Sequence, residues 1–175
     1  MHNPKVQAVR KLQSQARERH LQQAFVVEGV RLCEEALKAG WNTRQVFFTD
    51  LLDERGKSVV DGFAGRSAPV ETVSQAVMEA LSETETPQGL LVVVDQQILP
   101  LPPAPDFLLI LDGLRDPGNL GSILRTARAA GVQGVLLAPG CVDAWSGKVL
   151  RSGMGAHFHL PIHSLHWPDI QGIVK

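Results

Sequence analysis

Residues 107–137 read FLLILDGLRDPGNLGSILRTARAAGVQGVLL. The apolar runs at 107–111 and 135–137 predict buried strands, because neither run has a polar face to turn toward solvent. Between them, apolar residues recur at helical spacing up to Gly131: Leu120, Ile123, Leu124 and Ala127. A strand, a helix and a strand joined this closely predict a right-handed parallel unit, and hence an α/β fold.

The polar loop at 112–119 is a candidate functional site, because ligands of parallel sheets bind beyond the carboxyl ends of the strands. Asn119 suits the N-cap of the helix, and Asp116 suits the start of a type I turn. Arg125 lies about 120° around the helix from Asn119. It is either an exposed arginine paired with Asp112 or Asp116, or a functional cation. The third glycine of a dinucleotide fingerprint is missing, so the residues alone indicate an anion-binding loop and helix N-terminus.

A proline-rich segment divides the chain. Four prolines fall within residues 99–105, and they can continue neither a helix nor a central strand. They predict a stiff, extended linker. We therefore expect a first domain at 1–96, a linker at 97–105 and a second domain at 106–175.

The remaining hydrophobic patterns predict elements in both domains. In the first domain, helices are expected at about 4–19, 30–40 and 74–81, and strands at 25–27, 46–48, 70–73 and 90–94. Residues 51–68 are polar and show no clear pattern. In the second domain, a helix at 143–154 and a strand at 157–162 complete the prediction.

Although the net charge of the chain is −1, its N-terminal segment is basic. Residues 1–23 carry one acidic residue and five basic ones, a net charge of +4: Lys5, Arg10, Lys11, Arg17 and Arg19. Such a segment suits a phosphate backbone, although a solvated helix face has the same pattern. Tyrosine is absent and there are six Phe and three Trp, so stacking of bases on aromatic rings is not expected to dominate RNA binding.

The composition also indicates the cellular compartment in which the protein acts. Two cysteines, Cys33 and Cys141, make no disulfide framework, which favours a reducing, cytoplasmic setting. No apolar run approaches the ~20 residues of a membrane span, so no membrane partner is expected. The N-terminal residues have no hydrophobic signal core.

Several motifs carry a resemblance to a known family. Residues 111–127, LDGLRDPGNLGSILRTA, resemble the first signature motif of the SpoU (TrmH) family of RNA 2'-O-ribose methyltransferases, which belongs to the SPOUT class. Residues 143–156 resemble the helix that follows in that family. Residues 3–6, 25–29 and 86–89 resemble its N-terminal substrate-binding domain, which is similar in fold to the ribosomal protein L30e.

The resemblance implies an L30e-like α/β domain followed by the first part of a parallel-sheet SPOUT domain, which in the family ends in a trefoil knot. It implies methyl transfer from S-adenosylmethionine to a ribose hydroxyl of ribosomal or transfer RNA by a homodimer that associates through the catalytic domain. Residues after Ala156 do not match the two later motifs of the family. We therefore expect the cofactor-binding residues beyond Lys175, and only weak cofactor binding by residues 1–175.

The resemblance also assigns site residues. Arg125 is the candidate that activates the 2'-hydroxyl, and Asn119 is the candidate that positions the nucleotide or the arginine. Because a guanidinium hardly ever loses its proton, we expect Arg125 to stabilise the developing alkoxide and to bind a neighbouring phosphate. The expected RNA-binding residues are basic and come from both domains: Lys5, Arg10, Lys11, Arg17, Arg19, Arg115, Lys148 and Arg151.

Two other functions compete with this one. The first is a non-catalytic RNA-binding protein of L30e-like type with a degenerate second domain, against which the presence of both Asn119 and Arg125 argues. The second is a nucleotide-dependent enzyme of the ordinary Rossmann type. The missing glycine fingerprint argues against it, as does the lack of an acidic residue after the strand at 135–137.

Three further features are interpreted as structural. The histidine cluster at 157–166 lacks a nearby group of cysteines or carboxylates, so no metal site is expected, although His157 and His159 would share one face of a strand. Cys141 follows a Pro-Gly turn, with no motif to tie a histidine to it, and is expected to be inert. Trp145 is expected to pack in the interior rather than stack on a base.

Overall fold

The computed structural model, which describes residues 3–175, divides the chain near Gln97 into two units. Unit 1 is the N-terminal part up to Gln97 together with Trp145–Gly147, and unit 2 is Ile98–Ala144 together with Lys148–Lys175. The proline-rich segment belongs to unit 2 and is not a free spacer. Leu101 packs against the core of unit 2, and Nε2 of His163 donates to the carbonyl oxygen of Leu99 at 2.9 Å.

Unit 1 is a mixed α/β unit. Its helices are α1 (Pro4–Ser14), α2 (Ala16–Gln22), α3 (Val30–Ala39), α4 (Glu54–Ala64) and α5 (Gln75–Leu81). Its strands are β1 (Ala24–Glu28), β2 (Thr43–Phe48), β3 (Val70–Thr72) and β4 (Leu90–Asp95). The sheet has the order β1-β4-β2-β3, in which β4 is antiparallel to both neighbours and β3 is parallel to β2. The strands and helices predicted here are confirmed, apart from the two differences described next.

The single helix expected at 4–19 is two helices. Gln15 has extended backbone angles, φ −125° and ψ 112°, and separates α1 from α2. The reason is Arg19, whose guanidinium turns back and donates to the carbonyl oxygens of Leu12 and Gln13 at the end of α1. Those carbonyls have no partner within their own helix, so the arginine satisfies them.

Helix α4 lies in the segment where no pattern was seen. Asp53 is its N-cap and accepts from the N–H of Gly56 at 2.7 Å. The helix contains glycine, a poor helix former, so propensity alone does not reveal it. Packing explains Gly62: a Cβ there would lie 2.5 Å from a methyl carbon of Leu37 on α3. A larger residue at this position would force the Leu37 side chain to move.

Unit 2 is a parallel α/β unit, as predicted. Strands β5 (Leu108–Leu111), β6 (Gly134–Leu137) and β7 (Ile162–Ser164) are parallel, with β6 in the centre. Its helices are α6 (Pro117–Ala129), α7 (Gly147–Gly153) and α8 (Trp167–Ile173). Within residues 3–175, no helix has the length and apolarity needed to cross a membrane.

The C-terminal part of unit 2 differs from the prediction. The strand expected at 157–162 begins only at Ile162, and a short 3-10 turn occupies Ala156–Phe158. Gly155 enters this turn with φ +86°, and the N–H groups of His159 and Leu160 both donate to Ala156. The turn thus uses the backbone groups that a strand would have paired with a neighbour.

Arg19 provides a test of the α1–α2 junction. Arg19→Ala removes a guanidinium that is only 5% exposed and leaves its carbonyl partners unsatisfied. We expect the free energy of unfolding to fall by about 2–3 kcal/mol in urea denaturation. Arg17→Ala, an exposed site on the same helix, should change it by less than about 0.5 kcal/mol. Equal effects of the two variants would contradict this role of Arg19.

Candidate active site and nucleic-acid interface

The start of α6 is fixed by Asp116. Its carboxylate accepts from the N–H of Asn119 at 2.7 Å, and Pro117 occupies the first helical turn. The expectation that Asn119 is the N-cap is therefore wrong, because the helix already begins at Pro117. The Asp-Pro-Gly sequence is the signal that identifies the true cap, since proline is favoured at the first helical position.

Helix α6 is held against α7 by a close contact at Gly121. A Cβ on Gly121 would lie 1.9 Å from Oγ of Ser152 and 2.5 Å from the carbonyl oxygen of Val149. No side chain larger than hydrogen fits there. Leu120 and Leu124 are fully buried on the same helix. The orientation of α6, and of the residues it carries, is therefore set by the core of unit 2.

The loop at 112–119 is tied to the loop after β6. The N–H of Val142 donates to the carbonyl oxygen of Leu114 at 2.8 Å, and that of Ala138 donates to Leu111 at 2.9 Å. The glycine at 140 has φ +87°, and a Cβ there would approach the Cα of Gly113 to 3.7 Å. Both loops follow parallel strands, so they meet at the carboxyl edge of the sheet, as the sequence predicts.

Arg125 and Asn119 project from this fixed helix into solvent. Both side chains are exposed, and neither forms a hydrogen bond or ion pair with any of residues 3–175. The alternative in which Arg125 pairs with Asp112 or Asp116 is thus not adopted. A guanidinium that remains protonated and has no carboxylate partner is suited to an anionic ligand.

The expected RNA-binding residues of unit 1 fall into two groups. Arg10, Lys11 and Arg17 are exposed on α1 and α2, and their side chains make no ion pair within the described part of the chain. Lys5 is exposed but pairs with Glu71. Arg19 was assigned to RNA wrongly, because its guanidinium is buried and donates to the end of α1.

In unit 2 the expected RNA-binding residues differ in exposure. Arg115 is exposed in the loop at 112–119, and Lys148 is exposed on α7. Arg151, one turn further along α7, is half-buried. Arg115 follows β5 in the same loop that carries the cap of α6, which places a cation at the carboxyl edge of the sheet.

The histidines do not form the strand-face pair that their spacing suggested. His157 and His159 fall at the 3-10 turn, where His157 is buried and His159 is exposed. Nε2 of His157 lies 2.8 Å from the carbonyl oxygen of Ala144, and burial lowers the pKa of this imidazole to about 4. Within residues 3–175, no group of three His, Cys, Asp or Glu side chains is arranged to hold a metal ion.

Trp145 and Cys141 have structural contacts. Trp145 is 7% exposed, and its ring packs against Phe25 and Trp41 at centroid distances of 4.9 and 5.9 Å. The expectation that it packs in the interior is confirmed. The Cys141 thiol donates to the carbonyl oxygen of Leu111 at 3.3 Å.

Two family models match the chain. Residues 3–92 match the MRM3-like substrate binding domain, and residues 106–172 match the SpoU rRNA Methylase family. Among curated relatives, the human mitochondrial rRNA methyltransferase 3 is 42% identical over 87% of this chain and 38% of its own length. The Bacillus subtilis 23S rRNA (guanosine(2553)-2'-O)-methyltransferase RlmP is 37% identical over 95% of this chain and 64% of its own length.

Solved structures give the same result. An AdoMet-bound rRNA methyltransferase from Sinorhizobium meliloti superimposes with a TM-score of 0.86 at 29% identity, over 99% of this chain and 66% of that one. The SpoU methyltransferase AviRb from Streptomyces viridochromogenes, in complex with AdoMet, gives a TM-score of 0.82 at 26% identity, over 98% of this chain and 66% of that one. The chain therefore spans between about two fifths and two thirds of the length of these proteins.

Burial of His157 makes the stability of unit 2 depend on pH. Its pKa is 6.5 in the unfolded chain and about 4 in the folded one, so between these values the unfolded chain binds more protons. The contribution of neutral His157 to the free energy of unfolding is fully present above pH 6.5. It falls by on the order of 3 kcal/mol as the pH approaches 4. Urea denaturation at pH 7, 6, 5 and 4 should show this decrease, and His157→Gln should remove it. His166→Gln, at an exposed site, should retain it. An unaltered pH profile in His157→Gln would contradict the assignment.

Proposed function

Because the chain belongs to the SpoU rRNA Methylase family and carries an MRM3-like substrate binding domain, we propose that it acts in methyl transfer from S-adenosylmethionine to a ribose 2'-hydroxyl of RNA. Ribosomal RNA is the favoured substrate, since the relatives from Bacillus subtilis and human mitochondria are named as rRNA methyltransferases. The observation that carries the proposal is the pair Asn119 and Arg125, exposed on a helix that the core of unit 2 holds in place.

The proposed reaction is a nucleophilic substitution. The ribose oxygen forms a bond to the methyl carbon as the carbon–sulfur bond breaks, and the hydroxyl proton passes to solvent. S-adenosylmethionine supplies the electrophilic methyl group when bound, and we assign none of residues 3–175 to its binding. A ribose hydroxyl is a poor nucleophile, so the protein must orient it and stabilise the charge that develops on its oxygen.

Arg125 supplies that charge stabilisation. Because a guanidinium hardly ever loses its proton, this side chain acts as a fixed cation and hydrogen-bond donor and not as a base. Its planar fork can donate to the developing alkoxide with one edge and to a neighbouring phosphate with the other. Asn119, in the first turn of the same helix, orients the nucleotide through its carboxamide. Both are thus assigned as residues that contact the substrate.

Unit 1 holds the RNA substrate through its basic face. Arg10, Lys11 and Arg17 present three exposed cations from α1 and α2, and neutralising phosphates releases counterions. Lys5 contributes less, because it already pairs with Glu71. In unit 2 we assign RNA contacts to the exposed cations Arg115 and Lys148 and to the half-buried Arg151.

A second copy of the chain is the proposed partner for an exposed apolar surface of unit 2. Phe107 and Ile110 are exposed at β5, and an open groove of about 360 Å³ runs between this strand and α6. An uncovered strand edge with an apolar face favours association. We also place the reaction in the cytoplasm, which both free cysteines and the relative from Bacillus subtilis support.

The role of Arg125 is tested by substitution in the natural protein that carries this sequence. Arg125→Ala should lower the rate of methyl transfer at least a hundredfold, since an electrostatic stabiliser of this kind contributes roughly 3–4 kcal/mol. Arg125→Lys should not restore the rate, because an ammonium cannot reproduce the guanidinium fork. Arg128→Ala, one turn further along α6, should stay within a few-fold of wild type. Retention of most of the rate by Arg125→Lys would contradict the assignment.

The basic face of unit 1 is tested by salt dependence. Replacing Arg10, Lys11 and Arg17 together with Ala should weaken RNA binding and reduce the salt slope by up to about one counterion for each phosphate that the protein no longer neutralises. The control replaces Lys38, Lys57 and Arg66 with Ala, which removes the same charge from side chains that already have protein partners. Filter binding between low and physiological salt measures both. An unchanged slope in the first variant would contradict RNA binding at this face.

A further inference from the structure

His157 is a fully buried ionisable side chain of unit 2 to which the proposed reaction assigns no task. It lies in the 3-10 turn Ala156–Phe158, between α7 and β7. An imidazole suits an apolar interior less well than a leucine does, unless its polar atoms make specific hydrogen bonds. The contacts of this ring therefore indicate what it does.

The ring of His157 lies between α7 and residues 138–144, which follow β6 and are called the β6 loop below. On the side of α7, a Cβ on Gly153 would lie 2.7 Å from Cε1 of the ring, so a larger residue there would force the ring to move. On the side of the β6 loop, Nε2 lies 2.8 Å from the carbonyl oxygen of Ala144. The imidazole thus links the end of α7 to the end of the β6 loop.

The direction of this hydrogen bond is fixed. A carbonyl oxygen only accepts, so Nε2 of His157 carries the proton and donates to Ala144. Burial lowers the pKa of the imidazole to about 4, so the ring is neutral at pH 7 and Nε2–H is its one N–H donor. The β6 loop therefore receives one donor of defined position from a ring that is packed in the interior.

The β6 loop in turn contacts the first loop of the proposed active site. The N–H of Val142 donates to the carbonyl oxygen of Leu114 at 2.8 Å. The thiol of Cys141 donates to the carbonyl oxygen of Leu111 at 3.3 Å, at the end of β5. Leu114 lies within the loop at 112–119, which contains the N-cap of α6. A displacement of the β6 loop would therefore be transmitted to the start of α6.

From these contacts we infer that His157 is a positioning residue for the proposed reaction. Its Nε2–H holds the β6 loop at Ala144, and the β6 loop holds the loop at 112–119. That loop sets the start of the helix that presents Asn119 and Arg125. The inference rests on the proposed function, since that function assigns Asn119 and Arg125 to the substrate.

Two substitutions separate this role from packing alone. His157→Leu supplies an apolar side chain that suits a buried site but cannot donate to Ala144. His157→Gln keeps a donor, because the carboxamide nitrogen of glutamine is as many bonds from Cα as Nε2 of histidine. If the ring only fills space, Leu should serve at least as well as Gln. If the donor holds the loop, only Gln should replace histidine.

The first measurement is the labelling rate of Cys141 by a maleimide in the 175-residue chain. Cys141 lies in the β6 loop and is partly exposed, whereas Cys33, the other cysteine, is buried. Without its donor the loop should open more often, so His157→Leu should be labelled at Cys141 at least about fivefold faster than wild type. His157→Gln should stay within about twofold of wild type. His166→Leu, at an exposed histidine, is the matched control and should also stay at the wild-type rate.

The second measurement is the kinetics of methyl transfer by the natural protein that carries this sequence. His157→Leu should lower kcat about tenfold or more, because a small displacement of reacting groups reduces the rate strongly. Its KM for RNA should stay within about twofold of wild type, since the cations of α1 and α2 are unchanged. His157→Gln should restore kcat, and His166→Leu should retain it.

Each outcome decides for or against the inference. Equal labelling of wild type and His157→Leu would overturn it, as would an unchanged kcat in His157→Leu or a kcat in His157→Gln as low as that of His157→Leu. Labelling of Cys33 in His157→Leu would show that this variant is unfolded. Gly153→Ala, which displaces the ring but keeps the imidazole, then takes its place with the same expected results.

Failure of the proposed function is distinguishable from failure of this inference. If wild type transfers no methyl group to RNA, the proposed function is refuted. The labelling rates of Cys141 still decide whether His157 holds the β6 loop, because they require neither RNA nor S-adenosylmethionine.

Discussion

The contact between α6 and α7 at Gly121 is the constraint on which the proposed active site depends. The backbones approach so closely that Ser152 and the carbonyl of Val149 occupy the place of a side chain. This contact and the burial of Leu120 and Leu124 hold α6 in a fixed position. Asn119 and Arg125 need no partner within the protein to be positioned, because the helix positions them. Their polar groups thus remain available for substrate.

In the proposed function, the two units contribute to substrate binding and chemistry by different physical means. We propose that the exposed cations of α1 and α2 in unit 1 provide RNA affinity that falls with salt and carries no sequence information. The proposed catalytic pair, Asn119 and Arg125, belongs to unit 2 and lies on the helix that starts at the carboxyl edge of the parallel sheet. In the proposed function, affinity and chemistry are therefore assigned to separate sets of residues.

The sequence predicts most of this architecture, and the failures have identifiable causes. Continuous apolar runs revealed the strands, and the motif at 111–127 revealed the family, because both signals are local. The break at Gln15 could not be predicted, since it depends on the side chain of Arg19 four residues later. Helix α4 was missed because it contains glycine, and the contact of Gly62 with Leu37 on α3 is visible only in the tertiary structure.

The central claim, methyl transfer to a ribose oxygen of RNA, is tested by the chemical position of the transferred methyl group. Unmodified ribosomal RNA is incubated with the natural protein that carries this sequence and with S-adenosylmethionine labelled in its methyl group. The product is then hydrolysed in alkali. Alkaline cleavage requires a free 2'-hydroxyl, so methylation of that oxygen protects the adjacent phosphodiester bond. The account predicts that the label is recovered in alkali-resistant dinucleotides. Recovery of the label in mononucleotides, as methylation of a base would give, would contradict it.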